Sequence, residues 1–225
     1  MKLGWIVAAA TALVAVAPAW AASPREMLIQ AAFQTTDKKQ ALDLVTQAIT
    51  VAEAELRANP RDKEAFLQRA MGIGYRAKLT RTPGDAKTSR HMFEQFASQF
   101  PRDPEAQMAL GGWHLDAIAD GFLTATVLGA KKGPGLEGID KAAAYGGDHA
   151  FFKSFAALMR IRAEPKDIDP ARTLAEQAAR SSTPTLLDRI GKRAAEQLLV
   201  PLRAGDGKAA AQLARTLLPF GRLTK

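Results

Sequence analysis

At Ser23-Pro24, Asp103-Pro104, Asp169-Pro170 and Thr183-Pro184 a short capping side chain stands directly before a proline. The oxygen of a Ser, Thr or Asp accepts the free N–H groups of a first helical turn. Proline at the first helical position loses nothing, because its missing N–H has no partner there. Each pair therefore marks a helix start. Ser23 with Glu26 and Asp37 with Gln40 add the spacing of a capping box. Stops stand at Gly146-Gly147 and Gly205-Asp206-Gly207. No run of alternating β-branched residues suggests a strand, and the chain is rich in Ala, the best helix former.

Between these signals the apolar residues recur every three or four positions, which predicts helices over 24–33, 38–58, 61–79, 85–100, 104–128, 136–145, 149–162, 170–180, 184–200 and 206–218. In 38–58 the stripe is Ala41, Leu42, Val45, Ala48, Ile49, Ala52 and Leu56. In 61–79 it is Phe66, Ala70, Ile73 and Ala77. In 104–128 it is Leu110, Trp113, Ala117, Gly121, Ala125 and Leu128, carried through the glycine. Phe151, Phe152, Phe155 and Leu158 mark 149–162, and 131–135 reads as a loop. Pro201 should end or kink its helix. The tail from 220 onward reads as loose. Residues 121–130 carry no charge, and two expectations stay open for them. A helix apolar on all sides is usually buried by its neighbours. Otherwise it is an exposed patch that meets a partner or a membrane surface.

Residues 1–21 read as a separate unit. Met1-Lys2 gives a positive start, an uncharged apolar run follows over 3–17, and Ala19-Trp20-Ala21 has the small–x–small form of a cleavage site. The expectation is a secretory signal peptide cut after Ala21 and a periplasmic or secreted mature chain, 22–225, forming a single domain. There is no Cys, so disulfides are excluded. A helical array of this size can bury enough core without them.

The stretch 84–111 is the most specific. Ser89, Phe93 and Phe96 give a small, an aromatic and a second bulky position, Pro101 follows, and Leu110-Gly111 opens the next unit. A small residue lets two helices approach, the aromatic fills the gap, and proline lets the chain reverse. This order resembles the tetratricopeptide repeat (TPR), with weaker echoes at Ala41, Val45 and Ala48 and at Ile139 and Ala142. Gln107 and His114 stand where that family usually has Trp and Tyr. The resemblance implies an all-α fold of stacked antiparallel helix pairs, a TPR-like α-solenoid coiled as a right-handed superhelix. It also implies a concave groove for a protein or peptide partner, lined by the first helix of each pair. On that analogy the groove candidates are Tyr75, Lys78, Trp113, His114 and Asp116, and the function is a non-enzymatic binding scaffold.

The charge suggests a different partner. The formal net charge is +8, divided as +1 over 1–130 and +7 over 131–225. A basic half favours an anionic polymer or lipid surface, with Lys131, Lys132, Lys192 and Arg193 as the candidate contacts. Lys131 and Lys132 also stand beside a helix start, where an anion can be held.

Other chemistries find little support. Gly133-Pro134-Gly135-Leu136-Glu137-Gly138 spells G-x-G-x-x-G, but that fingerprint needs a preceding strand, so no dinucleotide cofactor is expected. His91, His114 and His149 have no second His at helical spacing, and no metal is expected. His114 and Asp116 are two residues apart and face different sides of a helix, which argues against a base–carboxylate pair. There is no G-x-S-x-G and no thiol, so no catalytic residue is assigned. Nucleic acid is not expected as a partner of an exported chain.

Overall fold

The computed structural model describes residues 22–224; the expected signal peptide and its cleavage site lie outside them. The described residues form α1 (Pro24–Ile29), α2 (Lys38–Ala58), α3 (Lys63–Thr80), α4 (Pro83–Gln99), α5 (Pro104–Ala119), α6 (Phe122–Leu128), α7 (Lys132–Tyr145), α8 (Ala150–Ala163), α9 (Ile168–Arg180), α10 (Leu186–Arg203) and α11 (Gly207–Leu217). The fold is all-α, built of packed helix pairs. Among the described residues the only β-type pairing is one isolated bridge between His149 and Ser182.

Several starts follow the capping rules. Ser23 and Glu26 close a reciprocal box at α1, and Asp37, Asp62, Asp103 and Asp206 each accept an N–H of the first turn. Gln40 does not close a box with Asp37; its carbonyl accepts from the Thr35 hydroxyl instead. Two other starts differ from expectation. α9 begins at Ile168, ahead of Pro170, and Asp169 spends its carboxylate on Arg172 at 2.7 Å. α10 begins after Pro184, and Thr185 with Asp188 forms the capping box. Pro201 does not end α10, which runs on to Arg203. The carbonyl that loses its partner belongs to Gln197, an exposed residue that water can satisfy.

The helices alternate between two layers. α1, α3, α5, α8 and α10 share an interior cavity, and α2, α4, α7, α9 and α11 pack behind them. The 84–111 stretch packs as its residue sizes dictate. Ser89 is fully buried where α4 crosses α3 at Gly74. Phe96 is buried between Phe66 and Phe100, with ring centroids 5.9 and 5.0 Å away.

The loop expected over 131–135 is instead the first turn of α7. Its glycines serve packing. A Cβ on Gly138 would lie 2.8 Å from the Gly111 Cα, and one on Gly135 would lie 2.8 Å from the Leu115 side chain. α5 and α7 thus meet backbone to backbone. This is the physical role of the glycine pattern that mimics a nucleotide loop.

Two further expectations fail. The fifth helix does not run through 121. Gly121 takes φ 116°, a conformation few other residues tolerate, and α6 departs as a separate element. α6 buries none of its residues, so the interior reading of 121–130 is wrong: Phe122, Leu123 and Val127 are 81, 77 and 59% exposed. Nor is the tail loose. The Phe220 N–H donates to the Ala32 carbonyl at 2.8 Å, and that of Thr224 to Thr36 at 3.0 Å. Phe220 is buried edge-on against Tyr75, so the tail closes onto the segment between α1 and α2 and onto α3.

Candidate ligand cavity of the inner helices

The inner helices enclose a cavity of about 170 Å³. Its wall is chiefly apolar, with Leu28 and Phe33 from the α1 segment, Met71 from α3, Met108 from α5, Phe155 from α8 and Pro219 from the tail among its residues. Apolar side chains at every third or fourth position place these residues on one face of each helix. Gly74 and Gly112 keep room open beside the aromatic rings, because a Cβ on Gly112 would lie 3.1 Å from the Phe155 ring.

Four of the five groove candidates meet here: Tyr75, Lys78, Trp113 and Asp116 all line the cavity. The Trp113 indole N–H donates to the Ala86 carbonyl at 3.1 Å, and the Arg90 guanidinium lies 5.6 Å from its ring centroid. Trp113 is therefore a wall anchored to α4. Burial pushes the Tyr75 phenol well above its ordinary range, so it stays a neutral O–H. The fifth candidate, His114, is not on the wall. It is buried on the other side of α5, where its Nδ1 accepts the Lys131 N–H at 3.3 Å. Burial lowers its pKa, which suits a neutral acceptor. The two-residue separation from Asp116 indeed puts them on different faces.

The charged groups stand at the two ends. At one end Arg25 is clamped between Glu64, at 2.6 Å, and Glu105, at 2.6 and 2.8 Å; hydrogen bonds from both acids raise its pKa. This end opens into a wider recess of about 730 Å³ bordered by His149, Thr185 and Asp188. At the other end Lys78 meets Asp116 at 2.8 Å, Arg162 pairs with the same carboxylate, and Arg162 reaches Asp120 at 2.6 Å. Burial works against the Asp116 carboxylate, but Lys78 and Arg162 outweigh it and hold the pKa below its ordinary value. Burial and the neighbouring Asp116 raise that of Asp120. Leu218 and Pro219 separate this end from an outer recess of about 410 Å³.

One wall residue escaped the sequence reading. Gln68 on α3 is 5% exposed and lines the cavity. Its carboxamide is a donor and an acceptor set in the chiefly apolar wall. Its sequence signal was slight, because Lys63, Glu64 and Arg69 place other polar residues on the same half of the helix. The contributions of α1 and the tail were also missed, because both depend on the closure of the chain ends.

The basic candidates do not converge. Lys131 and Lys132 lie at the start of α7, where Lys132 meets Glu164 at 3.2 Å; Lys192 and Arg193 lie midway along α10. Among the described residues no cluster of His, Asp and Glu is placed to hold a metal, and no helix is long and apolar enough to cross a membrane. Compared with known proteins, the chain matches no family model, no curated protein and no solved structure.

Proposed function

We propose that the chain is a non-enzymatic binding scaffold of the tetratricopeptide kind, working outside the cytoplasm. It holds an extended peptide segment of a partner protein by seating apolar side chains among the inner helices. The observation that carries this reading is the chiefly apolar cavity itself, with the Gln68 carboxamide on its wall. A carboxamide both donates and accepts, and a peptide unit offers the complementary pair. Aliphatic and aromatic side chains supply the matching apolar surface. A cavity of about 170 Å³ suits side chains better than a whole helix roughly 10 Å across. The ionic groups at both ends are already satisfied by one another, which favours holding a ligand over transforming one.

A photo-crosslinking residue in place of Met71 tests this, with the exposed Lys208 of α11 as the control position. The expected result is a peptide adduct from position 71 and none from 208, diminished by Gln68→Leu. Equal adducts from both positions, or none from position 71 with an unchanged thermal melt, would overturn the reading.

A further inference from the structure

α6 is an uncharged helix that projects from the body. Phe122 and Leu123 stand side by side on it, with Val127 one turn on, and all three are exposed. Such exposure is held in place. Gly121 and Gly129 take positive φ values at the two ends. The Arg90 guanidinium donates to the Leu128 carbonyl at 2.8 Å, and the Lys131 N–H donates to the His114 ring. The base of the finger is therefore pinned to α4 and α5.

Two of its polar contacts are internal, while among the described residues no side chain caps the first-turn N–H groups at Phe122 and Leu123. The Thr126 hydroxyl donates to the Phe122 carbonyl at 2.8 Å, and the N–H of Ala130 donates to the Ala125 carbonyl at 2.8 Å. Groups satisfied in this way can leave water at little cost, and the uncapped N–H groups can stay paired with water at the headgroup boundary. At the base, the two acids are engaged: Asp120 with Arg162 and Glu164 with Lys132. Lys131 is exposed and, among the described residues, forms no ion pair, so the finger ends on uncompensated positive charge.

We infer that α6 is a docking finger that seats Phe122, Leu123 and Val127 in the interface of an anionic lipid membrane, with Lys131 and Lys132 at headgroup level. An apolar tip above a basic collar is complementary to such a surface. A second copy of the chain fits less well. Three side chains expose on the order of 400 Å², about half of the ~800 Å² per partner of a stable interface. The inference is independent of the peptide reading, because it concerns a different face.

The absence of Cys permits a test at single positions. Leu123→Cys carries a spin label, with Glu196→Cys on α10 as the control. Vesicles of phosphatidylcholine, with and without phosphatidylglycerol, are added to the full chain. The label at 123 should enter the bilayer, at least tenfold more strongly with phosphatidylglycerol, while that at 196 stays in water. Lys131→Glu with Lys132→Glu should reduce partitioning of the 123 label about tenfold. Since all these positions are solvent-accessible, the melt should be unchanged. A 123 label that stays in water with vesicles overturns the inference. So does one shielded without lipid, which would assign the finger to another segment or a second copy.

Discussion

The two halves of the molecule solve the same packing problem with different side chains. The core of α1 to α4 sets buried alanines (Ala31, Ala41, Ala48, Ala70) beside aromatic plugs, with Phe93 and Phe96 buried and Phe66 and Phe100 packed against them. The core of α7 to α11 has fewer aromatics: Ala142, Ala156, Ala157, Ala171, Ala175, Ala178, Ala194, Ala195, Ala210 and Ala214 are buried there among aliphatics such as Leu158, Ile161, Leu198 and Leu202. Large side chains hold helix axes apart and leave irregular gaps, while Ala lets axes approach. The cavity lies where the two regimes meet. α5 joins them, carrying Ala106 into the first core and Met108 and Leu115 into the second, with Phe93 of α4 and Phe155 of α8 beside it on the cavity wall.

Deleting a plug should therefore hurt the first half most. Phe96 is 1% exposed, so Phe96→Ala should cost about 3–5 kcal/mol in a denaturant melt, with a fall of several degrees in Tm. A loss below about 1 kcal/mol would show that the first half can collapse onto the gap, and the contrast between the cores would fail.

The second half should be sensitive to the opposite change. Ala175 of α9 is fully buried in the second core. Ala175→Leu should cost about 1–3 kcal/mol by overpacking. A neutral or stabilising result would mean that α9 is free to shift, and that close approach is not what holds this half.

Asp116 ties the halves together, since it takes Lys78 from α3 and Arg162 from α8. Asp116→Asn should cost about 1–3 kcal/mol at neutral pH, within the range for hydrogen bonds to charged groups. Its depressed pKa fixes the sign. The contribution is fully present above the unfolded carboxyl pKa of roughly 3.9 and is lost as pH falls through the lower folded value. Parent and variant should therefore converge in stability below about pH 4. Asp120, whose pKa is raised, works in the opposite sense. A gap between parent and variant that does not change with pH would remove Asp116 as the ionic tie.

What was legible in the sequence follows the range of the interactions involved. Caps and 3–4 spacing act within one turn, so α2, α3, α5, α8 and α11 start within about two residues of their expected places. Tyr75, Lys78, Trp113 and Asp116 could be placed together because a repeated helix pair brings its first helices to one side. His114 could not, since its partner Lys131 depends on a chain reversal at Gly121 that periodicity carried straight through. The tail was misread for the same kind of reason. Phe220 is held by Ala32 and Tyr75, both far off in the sequence, and no local pattern announces that closure.

His114 should give the smallest effect and the closest test of how α6 is attached. Its Nδ1 accepts the N–H of Lys131, so the ring must be neutral at that nitrogen. Burial lowers its folded pKa, so near pH 6 the unfolded chain binds more proton than the native one. Stability attributable to this ring is therefore present above the unfolded value of roughly 6.5 and falls as pH drops below it. The slope ends once pH passes below the folded pKa. His114→Gln keeps an acceptor but cannot titrate, and should flatten this part of the profile between about pH 7 and 5. Hydrogen exchange at the Lys131 amide should accelerate in the parent over the same range, beyond the intrinsic pH dependence, and not in the variant. Protection at Lys131 that follows the same course in both chains would mean that Arg90 alone holds the base of α6, and that the ring is only packed beside it.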